Sequence, residues 1–206
     1  MAADVPARPS LRERKKAKTR AAIRRATYRL AAEHGWEAAT TDRIAAAAEV
    51  SPSTVARYFP VREDILLTDE GDALLEARLR ARPAGEDPLE SLRAVLLEAV
   101  RTALAEQPEE TRLRARLMVE IPAVRARLTE TTAETGRRLT RVLADRTGRA
   151  PDALEVRVFT AAVLGALRET TAYWAEHDRT ADLVPLLDRT LDTLKGGPAL
   201  PRHSHE

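Results

Sequence analysis

The chain has 206 residues, 44% of them hydrophobic and 32% charged, with a formal net charge of +2. That length suits one medium domain or two small ones, with enough apolar residues to bury a core. Cysteine is absent, which excludes disulfides, thiol nucleophiles and thiolate zinc sites. No run approaches 18 uncharged apolar residues, and MAADVPARPS leads into charge rather than into an apolar segment. Neither a membrane span nor a signal peptide is expected, and the protein is expected to be cytoplasmic.

Strand-favouring aromatics are scarce, at 2 Trp, 3 Tyr and 2 Phe, while Ala, Leu, Arg and Glu dominate. These are strong helix formers, so an all-α fold is expected. Charge is unevenly placed. Residues 1–62 carry 13 Lys or Arg against 6 Asp or Glu, whereas the remainder carries 21 against 26. The first part is suited to a polyanion and the second is not.

In chain order, residues 1–10 read as a disordered tail, because Pro6 and Pro9 prevent regular structure. A helix is predicted from Arg12 to about His34, with Ile23, Ala26, Thr27 and Leu30 forming an apolar stripe. Gly35 is its expected C-cap in the left-handed conformation. A short helix follows from about Thr41 to Ala48, capped by Thr40 or Thr41, with Ile44, Ala45 and Ala48 inward. Ser51 and Pro52 open a third helix, and Pro60 ends it. A fourth is predicted from near Arg62 to about Arg80, with Ile65, Leu66, Leu74 and Leu75 as its apolar contacts.

ARPAGED, residues 81–87, is a loop by its proline and glycine. Longer helices are predicted beyond it: Pro88 to Ala105, Pro108 to Ile121, Ala123 to Arg146, Asp152 to His177 and Ala181 to Lys195. Pro122 marks either a kink or a short break. GGPALPRHSHE reads as a flexible tail. The total is about nine helices: four that open the chain and five that suit an antiparallel bundle.

Thr41 to Phe59 has the form of a helix-turn-helix, whose second helix enters the DNA major groove. Its leading end offers Ser51, Ser53, Thr54 and Arg57. Hydroxyls can meet base edges or phosphates, and an arginine can bond guanine with both arms. Tyr58 can reach a phosphate, whereas Val55 is a packing residue. Two helices joined by a short turn are also common in helical proteins, and hydroxyls at a helix start are commonly plain caps. The run RERKKAKTR shifts the balance. From Arg12 to Arg29 there are nine basic residues and one acidic residue. Arg12, Arg14, Lys15, Lys16 and Lys18 are candidates for phosphate contacts, as is Arg62 at the start of the fourth helix.

The stretch RAAIRRATYRLAAEHGWEAATTDRIAAAAEVSPSTVARYFPVREDIL, Arg20 to Leu66, resembles the TetR family of one-component bacterial transcription regulators. The resemblance implies a three-helix DNA-binding unit over residues 11–62, then a helical ligand-binding and dimerisation domain over 63–195 and a tail over 196–206. Thr41 matches a frequent phosphate contact, Trp36 the aromatic plug of the small core, and Tyr58 and Phe59 the aromatic pair closing the recognition helix. Arg62 stands where lysine is typical. Glu49 departs from the usual turn glycine, and Ala56 from a frequent aromatic.

The resemblance further implies double-stranded DNA with a palindromic operator as partner, and a homodimer through the last two long helices. Phe159, Ala162, Val163, Ala166, Leu167 and Thr170 on one, and Leu183, Leu186, Leu187, Thr190, Leu191 and Leu194 on the other, are its expected seam, although the same stripes would serve a monomeric core. RLRARLMVEIPAVRARL resembles a subgroup with a mycofactocin-regulator-like C-terminal domain, associated with fatty acyl-coenzyme A ligands. Arg114, Met118, Tyr173 and Trp174 are the candidate ligand contacts there, alongside Arg112 and Arg116. The bland reading makes the arginines solvent-facing and the aromatics core. His203 and His205 sit in the tail as surface residues or a weak chelator.

HExxH, GxSxG and phosphate-binding glycine loops are all missing from the sequence, so neither an enzyme nor a cofactor or metal site is expected. The leading expectation is a sequence-specific, ligand-responsive repressor. The alternative is a helical protein-interaction or small-ligand-binding protein without sequence-specific DNA binding.

Overall fold

The computed structural model describes residues 10–67, 71–177 and 182–197, with the side chains of 71–73 also outside the description. His203, His205 and most of both expected tails therefore lie outside the described residues. The chain forms two units, Met1–Leu66 and Leu67–Glu206. Ten α-helices and one 3-10 turn occur among the described residues, with no strand.

In the first unit, α1 spans Leu11–His34. It starts at a capping box that the tail assignment overlooked: the Ser10 hydroxyl accepts the Glu13 amide at 3.2 Å, and the Glu13 carboxylate accepts the Ser10 amide at 2.7 Å. Ile23, Ala26, Thr27 and Leu30 are buried as expected, joined by Tyr28 and Ala31. No residue from Leu11 to Ala22 is buried, so the first half of the helix leaves the core as a basic arm. Gly35 ends α1 at φ 81°, ψ 163°. That is not the left-handed helical cap expected but an extended conformation at positive φ, open essentially to glycine alone. A 3-10 turn, Trp36–Ala38, then tucks Trp36 into the core.

Helix α2 covers Thr41–Ala47, and Thr40 is its cap, accepting the Arg43 amide at 3.4 Å. Ile44 and Ala45 are buried, whereas Ala48, expected inward, is the half-buried C-cap. Helix α3 is Pro52–Tyr58, with Ser51 as cap and proline at the first turn.

The single helix expected from Arg62 to Arg80 is instead described as α4, Asp64–Leu67, and α5, Gly71–Ala81, with 68–70 outside the description. The first position of α5 is glycine, a poor helix former. Ile65 and Leu66 are buried as expected, but Leu74 is 50% exposed. Neighbouring residues on a helix point about 100° apart, and here Leu75 takes the inward direction.

The second unit continues with α6 (Pro88–Glu106), α7 (Pro108–Glu120), α8 (Pro122–Thr147), α9 (Leu154–Glu176) and α10 (Leu183–Gly196). Asp87 caps α6, its carboxylate accepting the amides of Leu89 and Glu90 at 2.9 and 3.1 Å. At Pro122 the chain breaks rather than kinks: Ile121 is extended, as a residue before proline prefers, and the proline opens α8. Gly148 closes α8 in the left-handed conformation, at φ 65°, ψ 24°. Helix α9 packs against α7, α8 and α10, and α10 also packs against α6. Two apolar clusters result. One gathers Leu92, Leu139, Leu143, Val163 and Leu191, and the other Leu97, Ala115, Trp174, Leu183 and Leu187.

Much of the expected dimer stripe is spent inside this unit. Val163, Thr170, Leu183, Leu187 and Leu191 are buried in the protomer's own core. The outward face of α9 carries Ala162 of that stripe together with Leu154 and Val158, at four-residue spacing.

Candidate nucleic-acid interface

The site begins with the head of α3. The Ser51 hydroxyl accepts the Thr54 amide at 3.2 Å, and lies 2.9 Å from the hydroxyls of both Ser53 and Thr54. Three of the expected contact residues thus form one hydroxyl cluster at the leading end. A hydroxyl has one donor and two acceptor sites, so capping leaves capacity for an outside partner. Val55 and Phe59 are buried and fasten the helix to its unit. Ser53, Ala56 and Arg57 are exposed on the opposite side, and Thr54 and Tyr58 are half-buried. Arg57 lies with its guanidinium 5.6 Å from the centre of the Tyr58 ring. The face offered to solvent is therefore hydroxyls, one methyl, a cation and a phenol edge.

Thr41 is half-buried at the first position of α2. Lys18 is exposed on α1. Arg62 is placed differently from the expectation: α4 begins at Asp64, so Arg62 does not open a helix. Its guanidinium stacks 4.3 Å over the Trp36 ring and lies 3.7 Å from the Glu63 carboxylate. That side chain closes the small core and joins the turn after α3 to the turn after α1.

The arm of α1 and the end of α3 enclose a cleft of about 820 Å³. It is lined by Leu11, Arg12, Lys15, Lys16, Thr19, Arg20, Arg57 and Tyr58, among which there is no acidic residue. Of the expected arm cations, Arg12, Lys15 and Lys16 line it; Arg14 and Lys18 do not. Sequence reasoning missed Arg20, whose guanidinium also lies 4.8 Å from the centre of the Phe59 ring. The signal was there in the spacing 12, 16, 20, which returns to one side of a helix every four residues.

The candidate ligand contacts in the second unit do not converge as a group. Trp174 is buried among Leu97, Ala115, Leu183 and Leu187. Tyr173 is 50% exposed and stacks on His177, with ring centres 4.0 Å apart. Arg114 donates to the Leu67 carbonyl at 3.3 Å, and Met118 is half-buried on the same helix. Arg112 pairs with Glu109 at 2.7 Å and Arg116 with Glu120 at 3.7 Å, so both are engaged on the surface of their own helix.

An exposed reading face on a capped second helix, beside a cationic cleft, defines a helix-turn-helix DNA-binding protein. Residues 23–68 match the model of bacterial regulatory proteins of the tetR family, and residues 86–199 match the MftR C-terminal domain. The chain belongs to the TetR family of bacterial regulatory proteins. The HTH-type transcriptional regulator TcmR of Streptomyces glaucescens is 35% identical over 156 residues, covering 69% of this chain. The chain spans 66% of that relative, just short of two thirds of its length. Among solved structures, Thermus thermophilus FadR, a repressor crystallised with lauroyl-CoA, is 24% identical with a TM-score of 0.59, over 91% of this chain and 98% of that one. NalD of Pseudomonas aeruginosa, a secondary repressor of a multidrug efflux pump, is 21% identical with a TM-score of 0.60, over 88% and 97%. These two share the fold.

Proposed function

We propose that this regulator is a repressor that binds a palindromic operator as a homodimer and releases it when a hydrophobic or acyl-type small molecule enters the second unit. The observation that carries the DNA reading is the polarity of α3: Val55 and Phe59 inward, Ser53, Ala56 and Arg57 outward. Arg57 takes guanine from the major groove, and Ser51, Ser53 and Thr54 take neighbouring base edges or phosphates. The Ala56 methyl suits a thymine methyl. Thr41 and Tyr58 meet phosphates, which position the helix without reading sequence. Arg62 keeps the α3–α4 turn on Trp36 and so supports the reading head.

A palindrome needs two heads related by a two-fold axis, which is the reason for a dimer. Leu154 and Val158 on α9, at 70% and 56% exposure, are apolar surface suited to that seam. The effector class rests on the resemblance of the second unit to acyl-binding regulators and on its apolar interior around Trp174, with Met118 and Arg114 on a neighbouring helix. Release of bound operator by lauroyl-coenzyme A tests it; no release by any acyl-coenzyme A removes this class. No described helix is long and apolar enough to cross a membrane.

The reading function is tested by selecting bound duplexes from a random pool and measuring gel shifts. The wild type should prefer the selected palindrome over random duplex. Arg57→Ala should weaken that binding by about 10- to 100-fold and relax preference at one base step, as loss of a bidentate guanine contact does. Equal affinity for selected and random duplex would remove the sequence-specific reading.

A further inference from the structure

The basic run before the core is not one uniform patch. Its cations divide between the wall of the α1–α3 cleft and the surface outside it. Arg12, Lys15, Lys16 and Arg20 face the cleft together with Arg57 and Tyr58, while Arg14 and Lys18 are outside its lining. We infer that this cleft is a seat for one sugar-phosphate strand of the duplex, so that only the cleft-facing half of the run binds phosphate. The inference rests on the DNA-binding reading and assigns which cations serve it.

Three observations carry it. The cleft holds five cationic side chains and no carboxylate, so charge favours a polyanion over any neutral or cationic occupant. The nearest acidic residue of the arm, Glu13, accepts the amide and faces the hydroxyl of Ser10 in the capping box, which keeps its charge at the helix start. The cleft is also shared between the arm and the reading helix. Arg57 and Tyr58 line it from α3, so a strand lying in it flanks the bases that α3 reads. Arg20 stacks on Phe59 and thereby joins the cleft wall to the end of that helix. Arg12, Lys16 and Arg20 follow one another at about 6 Å along the helix axis, a ladder of charge along one side of the arm.

The experiment compares two double variants with the same change of charge. Lys15→Gln with Lys16→Gln removes two cleft cations, and Arg14→Gln with Lys18→Gln removes two cations outside it. All four sites are exposed on a helix, and glutamine is a good helix former, so both proteins should fold; circular dichroism melting checks this. Duplex affinity is measured across a salt series. Loss of two phosphate contacts per protomer, four per dimer, should reduce the slope of log K against log salt by about 3.6 and weaken dimer binding about 4,000-fold at 0.1 M salt. The outer pair should leave the slope unchanged, and the selected palindrome should stay preferred in both variants. Equal slope changes in the two pairs, or none in the cleft pair, would overturn the seat. The comparison is made on random duplex as well as on the selected one. Absence of sequence preference in the wild type sinks the operator reading, while the slopes on random duplex still decide the cleft. No binding to any duplex at low salt overturns both.

Discussion

Glu49 carries φ 56°, the one positive φ on a non-glycine among the described residues. It sits between α2 and α3, where the family commonly has glycine. An L-residue in the left-handed region costs roughly 1–2 kcal/mol, partly offset because glycine loses about 0.5–1 kcal/mol more backbone freedom on folding. Glu49→Gly should therefore stabilise the first unit by about 0.5–1 kcal/mol, read as a higher denaturation midpoint. A lower midpoint would show that the Glu49 side chain contributes something the strain argument omits. The strain was legible because Glu49 departs from a known pattern. Arg62 was legible only as a charge. Its stacking on Trp36 joins residues 26 positions apart, which no local pattern encodes.

Among the elements, helix starts were readable wherever a capping residue preceded a proline: Ser51-Pro52 and Asp87-Pro88 both open helices, and Gly148 closes one. Local rules do not show what joins α5, α6 and α8. Arg146 of α8 donates to the carbonyls of Leu79, Arg82 and Pro83 and to the Ser91 hydroxyl, at 2.8 to 3.2 Å. It thereby adds a charged donor to carbonyls at and just after the end of α5, of which those of Leu79 and Pro83 also accept the Arg82 and Glu86 amides. Arg146→Ala should cost roughly 2–3 kcal/mol in denaturant unfolding, the scale of charged hydrogen bonds to half-buried acceptors; a loss within error of zero would show that water replaces it. Beside it, the Arg82 guanidinium and then the Ser91 hydroxyl hold the Glu86 carboxyl down at about 2, from an ordinary 4.5. A depressed carboxylate stabilises fully above its unfolded value and loses that contribution as pH falls through the folded one. Wild-type stability should thus fall between pH 4.5 and about 2, with Glu86→Gln showing a shallower fall in that window and lower stability at pH 7. Parallel acid profiles would remove Glu86 from the account.

At the level of the whole molecule, the proposed seam rests on which apolar residues the protomer leaves over. Val158→Glu with Leu154→Glu should yield a monomer in sedimentation, with helicity kept and the palindrome bound more weakly than by wild type. A dimer of unchanged stability would move the seam elsewhere. Either helix stripe could be core or interface on paper, because both uses demand the same apolar period. The sequence alone determined an all-α chain, most of its helix ends to within a few residues, the third helix over Pro52–Tyr58, and the basic character of what precedes it. Those follow from propensity, capping and proline chemistry, which act over a few neighbours. Only the tertiary structure decided that Arg62 serves the core, that Tyr173 faces out while Trp174 faces in, and which cations of the arm share a cleft with α3. Each of these depends on where a helix rotates against a partner distant in sequence, and rotation is settled by packing.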